Sequence, residues 1–136
     1  MSLDDLLEGF ALFDSWEERY RYIIELGRKL PALEEDLKTE PHRVQGCVSQ
    51  VWMVSERPPD APQTLVFRAD SDSHIVRGLI AILLLAYSHK TAPAILDVDI
   101  EAVFEELGLG QHLSPNRRNG FFSMVERIQR TAAATA

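Results

Sequence analysis

The residue with the clearest chemical potential is Cys47, the only cysteine in the 136-residue chain. One thiol cannot close a disulfide within its own chain, nor can it supply the several protein ligands of a typical zinc or iron–sulfur site. It can act as a nucleophile or carry a group covalently. The alternative is a small buried apolar side chain, since free cysteine is among the most buried residue types. Gly46 favours the chemical interpretation, because glycine before a thiol suits a turn better than a strand interior.

The thiol would need help from its neighbours, because a thiol attacks only as its thiolate and its ordinary pKa is about 8.5. His42 and Arg43 are close in sequence and could supply positive charge. Backbone N–H groups at residues 45–47 could donate hydrogen bonds to the anion. Adjacent side chains on an extended segment point to opposite faces, so the sequence alone leaves these partnerships as hypotheses.

Two other kinds of site fit the sequence poorly. A cysteine hydrolase needs a histidine base beside the sulfur. The chain has four histidines, of which the first is too near Cys47 in sequence and the others fall near predicted helix ends: His42, His74, His89 and His112. A metal site built from His42 and Cys47 would leave the coordination sphere half empty. Elimination favours a thiol that accepts and passes on a group, while a partner protein supplies the chemistry.

The composition is that of an ordinary globular protein. Hydrophobic residues make up 46% and charged residues 26% of the chain, so we expect one folded domain spanning residues 1–136. The formal net charge of −7 repels phosphate backbones, and no Lys/Arg cluster is dense enough to form a local basic patch. Nucleic acid is therefore not an expected partner.

The sequence also predicts no association with a membrane. Residues 1–5 lack the basic region of a secretory signal and the Arg-rich character of a transit peptide. The longest apolar stretch, residues 75–87, is interrupted by Arg77 and is shorter than the roughly 20 residues that cross a bilayer. A reducing compartment would keep the free thiol reduced, and the expected location is the cytoplasm.

The thiol must be positioned by a small β portion. An alternating pattern predicts a strand over residues 47–54, and a second strand over residues 64–69. The proline-rich, polar residues 56–63 between them predict a hairpin loop, which makes the two strands antiparallel neighbours. A weaker pattern predicts a short third strand over residues 42–45.

Helices account for most of the rest of the chain. Serines at helix starts predict helices after Ser2 and Ser15, the second ending before Pro31. The side chains of Ser71, Asp72 and Ser73 are each able to cap the next helix, which runs from His74 to about residue 88. That helix is apolar nearly all round, which predicts a place in the middle of the domain, packed across the sheet. Two further helices are predicted. One has a cap at Asp97 or Asp99 and a stop at Gly108, and the other starts at Ser114 and Pro115 and frays into the Ala/Thr tail. The predicted class is α+β, a small antiparallel sheet of about three strands flanked by helices.

Residues 45–52, Gln-Gly-Cys-Val-Ser-Gln-Val-Trp, resemble the signature of the SufE family, the sulfur-acceptor proteins of iron–sulfur cluster assembly. Further stretches resemble the family in the same order, so that the resemblance covers nearly the whole chain: residues 16–27 with 30–31, residues 71–81, and residues 112–115 with Arg117 and Gly120. Ser73 departs from the alanine common in the family, a conservative change at a helix start. The proline-rich loop is individual to this chain.

The resemblance implies a function and partners. A pyridoxal-phosphate cysteine desulfurase of the SufS type, or of the CsdA type if the chain is similar to the sister protein CsdE, would hold sulfur as a persulfide. Cys47 would take the outer sulfur, stimulate the desulfurase and deliver the sulfur to a SufB-containing scaffold complex. The pyridoxal phosphate would belong to the desulfurase, so this chain is expected to bind no cofactor and no metal. The implied fold is shared with the U-type cluster scaffolds, which need three cysteines where this chain has one, and that favours a carrier.

The resemblance also implies roles for four further residues. The cysteine would sit at a loop tip formed with Gln45 and Gly46, its sulfur turned toward an apolar pocket until the partner docks. Asp72 is a candidate for the docking surface or, alternatively, a helix cap. Arg117 is a candidate for docking or for contact with the thiol region, and otherwise a solvated residue of a first helical turn or a tether for the loop. A non-catalytic adaptor that regulates the desulfurase remains the alternative function.

Overall fold

The computed structural model describes residues 1–135, and it contains seven α-helices and three β-strands within that range. Two short 3₁₀ turns precede the first strand. The elements in chain order are α1 (Leu3–Ala11), α2 (Trp16–Arg28), the 3₁₀ turns Glu35–Leu37 and Glu40–His42, β1 (Val51–Glu56), β2 (Thr64–Ser71), α3 (His74–Tyr87), β3 (Lys90–Thr91), α4 (Ala92–Leu96), α5 (Ile100–Glu106), α6 (Leu109–His112) and α7 (Pro115–Thr135).

The three strands form one antiparallel sheet in the order β1-β2-β3, which confirms the predicted α+β class. Val51 lies opposite Ser71 and Met53 opposite Ala69, so these residues share a face of the sheet. That face is buried, and its apolar members are Val51, Met53, Leu65, Phe67 and Ala69. The alternation predicted for both strands is therefore present in the structure, as is the antiparallel hairpin.

Two predicted strand positions are wrong. β1 begins at Val51 and not at Cys47, because Gly46 has a φ of +90° and residues 45–50 form a turn and bends in place of an extended strand. The third strand is β3, whereas the predicted strand at residues 42–45 makes only an isolated bridge between Arg43 and Trp52. The first error comes from the local turn at Gly46, and the second comes from pairing between distant segments, which alternation in one segment does not determine.

The helix starts follow the predicted caps. The side chains of Ser2, Ser15, Ser73 and Asp99 each accept a hydrogen bond from a backbone N–H in the first turn of the helix that follows. Gly108, at a φ of +73°, follows the end of α5 as predicted. The predicted fraying of the tail is wrong, since α7 continues to Thr135. No helix within residues 1–135 is both long and apolar enough to cross a membrane.

Helix α3 lies at the centre of the domain, as its apolar surface predicts. It packs against α2, β2 and α7. Where α2 and α3 cross, Gly27 faces Gly78 so closely that a Cβ on Gly27 would lie 2.7 Å from the Gly78 nitrogen. A Cβ on Gly78 would collide with the backbone carbonyl of Ile23. The two helices therefore meet backbone to backbone, which needs glycine at both positions.

A buried ion pair fastens α3 to the end of β2. Asp70 is 2% exposed and pairs with the guanidinium of Arg77, which also donates to the carbonyls of Gly27 (3.2 Å) and Leu30 (2.6 Å). The Asp70 carboxylate also accepts a hydrogen bond from the Leu33 N–H at 3.0 Å. Each charged group is thus satisfied on several sides, as buried charges require. Arg77, which only interrupts an apolar run in the sequence, joins α2, β2 and α3.

Candidate functional site around Cys47

Cys47 lies on a short loop, defined here as the cysteine loop, residues 45–50. The Val44 N–H donates to the Val51 carbonyl at 2.9 Å and closes the base of the loop. Gln45, Gly46 and Gln50 are exposed, and Cys47 itself is half-buried. Beside the thiol, Val48 is 75% exposed, which is unusual for a large apolar side chain in a protein whose other valines are buried or half-buried. The loop tip thus presents a thiol together with an apolar contact surface.

One face of α7 supports the cysteine loop. The Cys47 thiol lies 3.6 Å from the Gly120 carbonyl oxygen in hydrogen-bonding geometry. One turn further along α7, Ser123 lies against Gly46 so closely that a Cβ on Gly46 would be 2.5 Å from the Ser123 Oγ. One more turn on, Arg127 donates to several backbone carbonyls around the base of the loop: Arg43 (3.0 Å), Pro41 (3.0 Å) and Met53 (3.4 Å). These spacings of three and four residues place the three supports on one side of the helix.

The other end of the loop is tied to the start of α3. The Asp72 Oδ1 accepts the Gln50 N–H at 3.1 Å, and the Asp72 N–H donates to the Gln50 carbonyl at 3.3 Å. The interpretation of Asp72 as the helix cap is wrong, because Ser73 caps α3 by accepting the Val76 N–H. Asp72 is exposed, and its place in a docking surface stays a prediction.

A cavity of about 430 Å³ opens beside the thiol. Its inner wall is apolar, and its mouth carries the polar side chains of the start of α7. The lining residues include Cys47, Val48, Val51, Val76, Leu79, Phe121 and Met124 on the apolar side and Ser49, Ser114, Asn116 and Arg117 on the polar side. The structure thus brings Arg117 to the thiol region. Within residues 1–135 its guanidinium makes no ion pair, so its charge is available at the mouth.

Electrostatics keep the resting thiol protonated. Burial raises the pKa of Cys47 above its ordinary value, and the nearby positive charge of Arg43 opposes this without cancelling it.

No histidine lines the cavity in the described part of the chain, so the base of a cysteine hydrolase is missing from this site. Residues 1–135 also contain no group of three His, Cys, Asp or Glu side chains placed to hold a metal ion.

The sequence did not identify every residue that holds the site. Cys47 and Gly46 stand out locally, whereas Ser123 and Arg127 look like ordinary residues of an amphipathic helix. Their only signal is the spacing of Gly120, Ser123 and Arg127 at helical intervals. That spacing does not show which distant segment the helix face contacts.

The chain is similar to known proteins over nearly its whole length. The family described as SufE, an Fe-S metabolism associated domain, matches residues 4–132. An uncharacterized SufE-like protein of Rhizobium meliloti is 48% identical over 132 residues, which cover 96% of this chain and 94% of the relative. One of Rhizobium etli is 46% identical over 136 residues, covering 99% and 92%.

The fold has a solved counterpart. The solution structure of a hypothetical protein from Thermus thermophilus matches with a TM-score of 0.76 at 19% identity, covering 98% of this chain and 97% of that one. This likeness concerns the fold alone, while the family match and the two relatives concern the sequence over nearly its whole length. The chain therefore belongs to the SufE family of domains associated with Fe–S metabolism.

Proposed function

We propose that the protein accepts and carries sulfur for iron–sulfur cluster assembly. Cys47 takes a persulfide sulfur from a cysteine desulfurase of the SufS or CsdA type, stimulates that enzyme, and passes the sulfur to a SufB-containing scaffold complex. The observation that carries the proposal is the position of the only thiol, half-buried on a loop tip against a cavity. Membership of the SufE family supports the same role.

The transfer step needs no cofactor on this chain. The Cys47 thiolate attacks the outer sulfur of the desulfurase persulfide, and a new S–S bond forms as the old S–S bond breaks. The desulfurase cysteine leaves as a thiolate and takes up a proton, so the sulfur changes carriers without net oxidation or reduction. Pyridoxal phosphate acts earlier, in the desulfurase, when sulfur is removed from free cysteine.

The resting geometry suits a carrier that reacts only with its partner. The raised pKa of Cys47 keeps the thiol protonated, and therefore weakly nucleophilic, in the free protein. The cavity beside it has room for one more sulfur atom, which the surrounding wall would shelter from water and stray thiols. A partner that turns the loop outward would remove the burial that disfavours the thiolate. We expect the protein to work in the cytoplasm, where thiols stay reduced.

The exposed surface around the thiol would receive the desulfurase. Gln45, Gly46 and Val48 form the loop tip. Arg117, which makes no ion pair within residues 1–135, offers a positive charge at the cavity mouth. Asp72 lies at the base of the loop, where docking would act on its bonds to Gln50. This surface combines an apolar contact with a charge, the combination that anchors transient interfaces.

The decisive experiment is the intact mass of the protein after incubation with a SufS-type desulfurase and cysteine. We expect a gain of one sulfur atom that a reductant removes, and no gain in the Cys47→Ser variant. A protein that never gains sulfur from either a SufS-type or a CsdA-type desulfurase would refute the carrier role.

The same variant separates the carrier from a non-catalytic adaptor. A carrier with Cys47→Ser loses its stimulation of sulfide release, whereas an adaptor keeps it. Alkylation of Cys47 gives a second measurement, since the thiol should react slowly in the free protein and faster when the desulfurase is present. Equal rates would contradict the sheltering.

A further inference from the structure

A second cavity lies between β1 and α7, close to the base of the cysteine loop. It has a volume of about 180 Å³, and four of its lining side chains are polar: His42, Ser55, Arg127 and Thr131. It shares no lining residue with the cavity at Cys47. The cavity is smaller than the sites that hold drug-sized molecules, yet it has room for more than a single water molecule. Its size and lining therefore suit a small polar ligand.

Arg127 brings a positive charge to this cavity and has no negative partner there. Its guanidinium donates to the carbonyls of Arg43, Pro41 and Met53, and carbonyl groups carry no net charge. No carboxylate lines the cavity, and Arg127 makes no ion pair within residues 1–135. Burial and the charge of Arg130 both lower the pKa of Arg127. A half-buried charge without a counter-charge is unfavourable.

Arg77 shows how the same fold satisfies another half-buried guanidinium. Both arginines donate to backbone carbonyls, but Arg77 also pairs with the buried carboxylate of Asp70. Arg127 has the carbonyls without the carboxylate. An anion bound in the cavity would supply the negative charge that the chain itself does not provide.

Hydrogen-bond donors are also left over for such an anion. A guanidinium has five N–H groups, and the Nε–H of Arg127 takes part in none of its three bonds, which come from Nη1 and Nη2. The Val51 carbonyl accepts a hydrogen bond from Val44, on the side of β1 away from β2. Ser55 lies four residues further along the strand, so its N–H is directed to that same side. Ser55 is exposed, and its N–H and hydroxyl are therefore accessible at the cavity.

We propose that this cavity binds a small tetrahedral oxyanion such as inorganic phosphate or sulfate. The anion accepts hydrogen bonds from the Nε–H of Arg127 and from the N–H and hydroxyl of Ser55, and its charge offsets that of the guanidinium. Arg127 also holds the Arg43 carbonyl at the base of the cysteine loop. The anion would thus add support beside that base while the cavity at Cys47 stays free.

The test is a titration of the ¹⁵N-labelled full-length protein with sodium sulfate, with sodium chloride used to keep the ionic strength constant. We expect the Nε–H signal of Arg127 and the amide signal of Ser55 to shift together and to saturate with a midpoint of about 5 mM. The Nε–H of Arg77, which is bonded to the Gly27 carbonyl inside the protein, is the internal control and should not move.

Two further anions define the ligand class. Sodium phosphate should shift the same signals as sulfate. Sodium acetate should bind at least about fivefold more weakly, because it carries half the charge of sulfate. Acetate that bound as tightly as sulfate would overturn the proposal, because the cavity would then be a site for carboxylates.

Variants test the residues that hold the anion. Arg127→Gln should weaken sulfate at least about tenfold, measured at the Ser55 amide. The matched control is Arg130→Gln, which removes one positive charge from the same helix at a side chain that does not line the cavity, and it should change binding by less than about twofold.

Ser55→Ala guards against a loss of folding in Arg127→Gln, because Ser55 is exposed and its hydroxyl is not needed by the fold. It should weaken sulfate about threefold, measured at the Nε–H of Arg127. The proposal is overturned if the Arg127 and Ser55 signals do not saturate, if chloride moves them as far as sulfate does, or if the two arginine variants weaken binding equally.

Discussion

Two regions beside the N-terminal half of α3 are held by opposite means. At the α2–α3 crossing, backbones touch at Gly27 and Gly78, and the Asp70–Arg77 pair is satisfied on every side. The cysteine loop rests on a few hydrogen bonds beside an open cavity. The crossing cannot change shape without collisions, whereas the loop can move by breaking a small number of weak contacts. Rigidity and reactivity are therefore placed in separate parts of one small domain.

The largest expected effect comes from filling the crossing. Gly78→Ala places a methyl group against the Ile23 carbonyl, where the backbone cannot easily yield, so we expect a loss of about 3 kcal/mol in the free energy of unfolding. Urea denaturation measures it. The control is Gly9→Ala in α1, where a Cβ meets nothing within 4 Å and should add up to about 1 kcal/mol of stability. Equal stabilities of the two variants would contradict the tight crossing.

A smaller loss is expected from Asp70→Asn, which leaves Arg77 without its counter-charge and should cost about 2 kcal/mol at pH 7. Burial by itself raises the pKa of Asp70, but the N–H donors of Leu33 and Ser71 and the charges of Arg77 and Lys38 outweigh it, so the pKa is lowered. The advantage of the wild type is therefore fully present above the unfolded-state pKa of about 3.9 and is lost as the pH falls through the lower folded-state value.

Denaturation of the wild type and of Asp70→Asn between pH 7 and pH 2 checks this pH dependence of the difference in their free energies of unfolding. A difference that stayed constant down to the lowest pH would show that the carboxylate charge does not matter.

Substitutions in the bonds of the cysteine loop should change the reactivity of Cys47 and hardly change the stability of the fold. Asp72→Ala removes the acceptor for the Gln50 N–H, so the loop opens more often, and iodoacetamide should alkylate Cys47 about fivefold faster. Asp72→Asn keeps an acceptor oxygen in the same place and should stay within about twofold of the wild type. If both variants react alike, the hydrogen bond does not hold the loop.

The smallest expected effect concerns charge at the thiol. Arg43→Gln removes the positive charge that lowers the pKa of Cys47, so the pKa should rise further and alkylation at pH 8 should slow by about twofold. The pH dependence of the alkylation rate measures this. Arg57→Gln, on the exposed hairpin loop, is the control and should leave the profile unmoved. If the midpoint of the alkylation pH profile shifts downward in Arg43→Gln, Arg43 does not lower the pKa of Cys47.

The sequence correctly predicted features that depend on contacts between residues close together in the chain. The caps at Ser15, Ser73 and Asp99 depend on a side chain and an N–H three residues away, and all three are present. The turn at Gly46 was also predicted, but the alternation that continues past it placed the start of β1 four residues too early. Alternation describes which way side chains point, and it does not show where a strand begins to pair.

Long-range contacts explain the rest. The third strand was assigned before the cysteine loop, yet β2 pairs instead with Lys90, which follows α3. For the candidate site, Cys47, Gly46 and Arg117 were identified, whereas Arg127 reaches a carbonyl 84 residues away and was missed. Such contacts depend on how the helices pack against distant segments, and no short stretch of the sequence shows this.

The solitary thiol has a practical consequence. A fluorophore, spin label or fluorinated tag that reacts with sulfur can attach at one position only, so the natural chain needs no engineering before labelling. Because Cys47 lies between the cavity and open solvent, the spectrum of the tag would show whether the tag lies in the cavity or in solvent. Movement of the loop when the proposed partner is added would therefore be visible in a chain of natural sequence, with no background signal from elsewhere in the polypeptide.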